Sequence, residues 1–167
     1  MKTSNMNEFV ISRTFEAPRE RVWKAWTNPE DMKQWWGPKG STILDCKIDL
    51  RLGGTCQYRM QYNNQDMWGK FVYREIVRPE RLVFVTSFSD ENGGVTRHPL
   101  SPTWPLEMLS KLTLSERAGR TALKIEWVPI SPTDEERKTF ETGQDSMQKG
   151  WTGTLDKLTE YVKKAES

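Results

Sequence analysis

Residues 133–164, TDEERKTFETGQDSMQKGWTGTLDKLTEYVKK, decide the fold, because they read as one long helix with a single apolar stripe. Thr133 at the N-cap and Glu136 three residues later form a capping box, which predicts a helix running to about Lys164. Phe140, Met147, Trp151, Leu155, Leu158 and Val162 recur at spacings of three, four and seven, so they stack on one helical face. Such a helix must lay its stripe on another apolar surface. Gly143 and Gly150 each cost about 1 kcal/mol against Ala in a helix interior, so each predicts a kink or a close backbone approach.

The partner surface is written upstream in alternations of period two, the signature of strands with one buried face. Phe9, Ile11, Arg13 and Phe15 form the inward side of a first strand. An inward Arg13 requires a carboxylate or carbonyl partner, because an unpaired buried charge is costly. Pro18 introduces a short helix over residues 19–26. A second follows, with Asn28 as N-cap, Pro29 as its first residue, acidic Glu30 and Asp31, and a stop at Gly37-Pro38. Met32, Trp35 and Trp36 make its apolar face.

Alternation then returns with Leu44, Cys46 and Ile48 facing one way, opposite Ile43, Asp45 and Lys47. Reversals at residues 51–54 and 63–66 and a break at 78–80 separate the strand carrying Cys56, Tyr58 and Met60, a strand over 67–76 and another over 82–88. A final pair, with Met108, Leu112 and Leu114 against Leu123, Ile125 and Trp127, turns at residues 117–120. Residues 89–105 show no periodicity and hold five Gly and Pro, which predicts a lid, a contact surface or a disordered segment.

The order strand, two short helices, six strands, long helix predicts an α+β domain. It is a helix-grip fold, a seven-stranded curved antiparallel sheet (β-α-α-β6-α) wrapped around the C-terminal helix. We expect one domain over residues 1–167, ordered from about 8 to 164.

Composition narrows the function. Eight Trp, six Phe, four Tyr and seven Met make the apolar groups large, flat and in part deformable. Lys and Arg number 25 against 23 Asp and Glu and alternate with them, so no basic stripe points to nucleic acid. No run of about 18 apolar residues predicts membrane insertion, and MKTSNMNEFV lacks an export signal, so a cytoplasmic location is expected. Cys46 and Cys56 read as reduced structural thiols. The one imidazole, His98, falls in the Pro-rich segment and is expected to be solvent-exposed, away from any nucleophile. With no phosphate loop and no metal-ligand spacing, we expect no catalytic residue, no metal and no cofactor.

Four stretches carry a family resemblance: FVISRTFEAPRERVWKAWTNPEDMKQWWGP, IDLRLGG, YREIVRPERLVF and SMQKGWTGTLDKLTEYV. Together they resemble the SRPBCC (START-like) superfamily and, within it, the homologues of the activator of the heat-shock-protein-90 ATPase. The resemblance implies a cavity between sheet and long helix, open near the short helices and strand-connecting loops, that holds an apolar or aromatic small molecule. Carried onto this chain, its walls would be Trp35, Trp36, Tyr58, Met60, Trp127, Met147 and Trp151. Three functions stay open: a non-catalytic binding protein, a co-chaperone-like or homodimeric interaction protein with a role in stress, and a polyketide cyclase or dehydratase-like enzyme. For the last, Arg13, Tyr58 and Glu75 are conceivable proton carriers. The chain corresponds to the C-terminal half of two-domain activators, so direct stimulation of a chaperone ATPase is not expected.

Overall fold

A computed structural model describes residues 8–99 and 101–165. The N-terminal MKTSNMN, part of the segment examined for an export signal, lies outside the described residues. The elements are β1 (Phe9–Phe15), α1 (Arg19–Thr27), α2 (Pro29–Met32), β2 (Thr42–Ile48), β3 (Thr55–Tyr62), β4 (Gln65–Val77), β5 (Arg81–Ser89), β6 (Val95–Thr96), β7 (Met108–Arg117), β8 (Arg120–Pro129), α3 (Asp134–Thr142) and α4 (Gln144–Ala165). All strand pairings are antiparallel, in the order β1-β8-β7-β5-β4-β3-β2. Seven strands make this path as expected, and the two-residue β6 adds an eighth, off the path, against β5.

Local chemistry explains the joints. Asn63 and Asn64 both have positive φ, which gives the β3–β4 hairpin a two-residue turn whose twist matches its strands. Register shifts at Ile43/Asp45 in β2 and Tyr73/Glu75 in β4 are bulges, and bulges bend a sheet and increase its twist. The first of them corrects the reading of β2. Ile43 is the buried residue at 5% exposure and Leu44 is only half-buried, because the extra residue flips the alternation ahead of Cys46. Pro18 leaves α1 without a side-chain cap, and Glu116 of β7 accepts from the Arg19 N–H at 2.8 Å instead.

The C-terminal segment is two helices rather than one. The capping box at Thr133 is formed, but α3 stops at Gly143, whose φ of −90° and ψ of 7° leave the helical region. A Cβ there would lie 3.4 Å from the Trp104 ring, so Gly143 serves both as break and as close approach. Gly150 serves as neither, since α4 runs straight through it and no atom lies within 4 Å of its would-be Cβ.

The core sits where α4 meets α1, β1 and the concave sheet face. Phe15, Val22, Trp35, Phe140, Leu155, Leu158 and Val162 are all fully buried there. Arg13 points toward α4 as its position in β1 requires, and finds Asp156 at 3.1 Å, the Thr159 hydroxyl at 3.2 Å and the Thr152 carbonyl at 3.4 Å. It is a structural clamp between the edge strand and the helix.

Candidate functional site

Between the sheet and the first half of α4 lies an apolar cavity of about 410 Å³. That is within the range of roughly 300–1,000 Å³ common for small-molecule sites. Trp36 follows the short α2 and lines the cavity, just before the chain turns at Gly37, φ 93°. Its ring meets Tyr58 at 5.9 Å and 74°, and Trp151 at 5.6 Å and 74°. Trp127 of β8 meets Trp151 at 5.4 Å and 80°. Edge-to-face contacts of this kind are a favoured arrangement of ring quadrupoles and hold each ring at a fixed angle.

Tyr58 is fixed a second way. Its cross-strand partner is Gly69, and a Cβ on that residue would fall 2.3 Å from the phenol oxygen, so the ring can lie over the neighbouring strand only because the side chain is missing. Burial pushes the Tyr58 phenol up to about 12, with the neighbouring Trp36 indole pulling the other way. It is therefore a neutral wall at any physiological pH.

His98, Ser101 and Trp104 line the cavity from the loop side. Arg97 pairs with Glu136 of α3 and donates to the Trp104 carbonyl at 3.4 Å. Thr139 donates to Thr103 at 2.8 Å, and the Trp104 ring lies 5.7 Å from that of Phe140. Loop and α3 thus form one tied unit beside the break at Gly143. A smaller hollow of about 100 Å³ shares Trp36, Tyr58, Phe88, Trp104 and Trp127 with the main cavity and continues past Pro105 and Met108.

Of the seven residues expected in the wall, Trp36, Tyr58, Met60, Trp127, Met147 and Trp151 come together around the cavity. Trp35 does not. It has no exposed surface, and its indole N–H donates to the Ala25 carbonyl at 2.9 Å, because Trp35 and Trp36 are consecutive and cannot face the same way. His98 corrects a second expectation. It is half-buried at the cavity wall, its ring 4.6 Å from that of Phe88, and desolvation holds its pKa below the ordinary value. Phe88, Trp104 and Ser146 were not read as wall residues. A Trp inside an aperiodic apolar-polar loop was the signal available for Trp104, and Phe88 differs in sequence in no way from any strand residue.

The enzymatic alternative finds its side chains apart. Glu75 is exposed and ion-paired with Arg81 at 3.2 Å, and Arg13 is engaged by Asp156. Neither lines the cavity that Tyr58 lines. Cys46 and Cys56 are both free thiols, and Cys56 donates to the Met32 thioether at 3.9 Å; their proximity holds the Cys46 pKa down and, with burial, pushes that of Cys56 up. Among the described residues no group of three or more His, Cys, Asp and Glu side chains is placed to hold a metal.

The family described as activator of Hsp90 ATPase homolog 1-like protein matches residues 16–163. The chain belongs to this family. Among solved structures, a protein from Nitrosomonas europaea is similar at 23% identity and a TM-score of 0.77, over 99% of each chain. One from Arthrobacter aurescens has 23% identity and a TM-score of 0.77, over 98% of this chain and 90% of the other. An AHSA1-like protein from Aeromonas hydrophila has 21% identity and a TM-score of 0.66, over 95% and 94%. At these identities the likeness establishes the helix-grip fold. No curated protein matches the chain in sequence.

Proposed function

We propose that this family member is a binding protein that holds an apolar or aromatic small molecule in the cavity between sheet and α4. The observation that carries the reading is the void itself. The interior is otherwise filled with buried side chains, yet about 410 Å³ stays open among rings fixed at steep angles to one another. Affinity would come mainly from apolar area removed from water, less the cost of ordering the ligand. A family fold that generally takes hydrophobic ligands supports the same conclusion. Among the described residues no helix is long and apolar enough to cross a membrane, and we take the protein to act in the cytoplasm as one domain.

The interaction reading, a homodimer or chaperone helper, rests on the exposed face of the sheet and on residues 89–105 as contact surfaces. The ties of that segment to α3 favour a lid on the cavity instead. The test is a titration with an environment-sensitive dye followed through tryptophan emission, since Trp36, Trp127 and Trp151 all stand on the wall. Saturable quenching at one dye per chain is expected. A flat response across a wide dye and ligand panel would sink the reading.

A further inference from the structure

We infer that the cavity selects uncharged aromatic molecules, and discriminates against carboxylates and against saturated chains of similar size. This rests on the binding reading above and adds to it the chemistry of the ligand.

Charge is the first argument. Among the described residues lining the cavity there is no Asp, Glu, Lys or Arg. The nearby cations are engaged: Arg97 by Glu136, Arg13 by Asp156, and the Lys157 ammonium, outside the lining, by the carbonyls of Trp36 at 3.5 Å and Pro38 at 3.3 Å. The two titratable groups on the wall are both biased toward neutrality, Tyr58 and His98 by burial. An ionised head group brought inside would lose water and gain no counter-charge. The polar side chains on the lining are uncharged ones, with Ser146 exposed on α4, Thr154 a little further along it, and His98 and Ser101 on the loop. A hydroxyl or carbonyl can hydrogen-bond there, whereas a carboxylate gains nothing over bulk water.

Shape is the second. Around the cavity Trp36 meets Tyr58 and Trp151 at 74° and Trp127 meets Trp151 at 80°, so these walls are flat plates set near right angles, with Trp151 backed by the stacked ring of Trp26 at 18°. Their edge contacts with one another, and that of Tyr58 with Phe71, resist the rotation needed to wrap a flexible chain. A planar ring meets such plates in offset or edge-to-face contact without losing internal freedom, while an alkyl chain must freeze several rotors to fill the same space. Met60 and Met147 supply the one adjustable surface, which widens the range of ring systems accepted.

A cation held by ring faces is the competing use of many aromatic side chains. It needs ring faces converging on one point. Here Trp36 is engaged by the rings of Trp35, Tyr58, Phe71 and Trp151 at 74° to 85°, so its edges and faces serve the wall rather than the void.

The test is calorimetric titration with 2-naphthol, 2-naphthoate, 1-decanol and decanoate, which crosses ring against chain and neutral against ionised, plus benzyltrimethylammonium. We expect 2-naphthol to bind tightest, by about tenfold or more over 2-naphthoate, with 1-decanol between them. 2-Naphthoate, 1-decanol, decanoate or benzyltrimethylammonium binding as tightly as 2-naphthol would overturn the inference and leave the binding reading standing. No heat from any of the five at two well-separated temperatures would overturn both. Trp127→Leu and Phe88→Leu, at half-buried positions, should each bring the 2-naphthol to 1-decanol affinity ratio toward one while 1-decanol still binds. An unchanged ratio in folded variants would remove the rings as its cause.

Discussion

From Leu155 onward α4 presents Leu155, Leu158 and Val162, each fully buried, whereas before that point it presents Met147 and Trp151, which keep 9% and 7% of their surface. Ser146 and Gly150 beside them are exposed. The apolar stripe is continuous through both halves, so periodicity treats them alike. What differs is the opposing surface. Leu155, Leu158 and Val162 belong to one filled core with Phe15, Val22 and Ala25 of β1 and α1, and the first half borders indoles in edge-to-face contact around a gap. A packed core and a binding site are here two outcomes of one amphipathic helix.

That contrast is broken most severely by truncation. Leu158→Ala opens a cavity in a filled region and should lower stability by about 2–5 kcal/mol in urea denaturation. Met147→Ala removes a side chain already bordering a void, so its cost should be nearer the transfer term alone, about 1–2 kcal/mol. Equal losses would mean that the first half of α4 is packed as tightly in solution as the second.

The strands and the helix register were legible because they rest on alternation and capping, which a chain carries locally. Thr133 and Glu136 form the capping box they spell, and Asn28 accepts from the Glu30 and Asp31 amides. Where the reading failed, a distant residue decided. The inversion at Ile43 and Leu44 comes from a bulge set by pairing with β3, and the kink or close approach expected at Gly143 turns out to divide the helix in two, where the Trp104 ring arrives from a loop nearly forty positions away. Trp35 and Trp36 are consecutive, so they must face different ways, but which of them goes to the core and which to the cavity is set by tertiary contacts. His98 moved from presumed solvent to the wall for the same reason: the ties that fold its loop inward, Arg97 to Glu136 and Thr103 to Thr139, are non-local.

Gly150 sharpens the contrast with smaller effects. It sits in mid-helix at the cavity border with open space where a side chain would go. Gly150→Phe should project a ring across that space and weaken 2-naphthol binding by about tenfold, equivalent to roughly 1.4 kcal/mol. Gly150→Ala should instead raise stability by up to about 1 kcal/mol with binding retained, because Ala relieves the helix of glycine's conformational entropy. A destabilised Gly150→Ala would show that the space is occupied.

The subtlest difference is in pH response. The α3 and loop unit beside the first half of α4 carries two groups whose folded pKa lies below the ordinary value: Glu136, through hydrogen bonds from Arg97 and the Thr133 amide, and His98, through desolvation. In both cases the unfolded chain takes up protons first as pH falls, so the stabilisation is full above the ordinary pKa and is lost on descending through the folded one. Loss should begin below pH 6.5 as His98 titrates and resume below pH 4.5 as Glu136 releases Arg97. Amide exchange, corrected for the intrinsic pH dependence of the chemistry, should therefore show protection in α3 declining on acidification before protection at Leu155–Val162 does. Simultaneous loss in both segments would mean that α3 and the second half of α4 open only together, and Arg97→Ala should abolish most of the lower step while leaving the upper one in place.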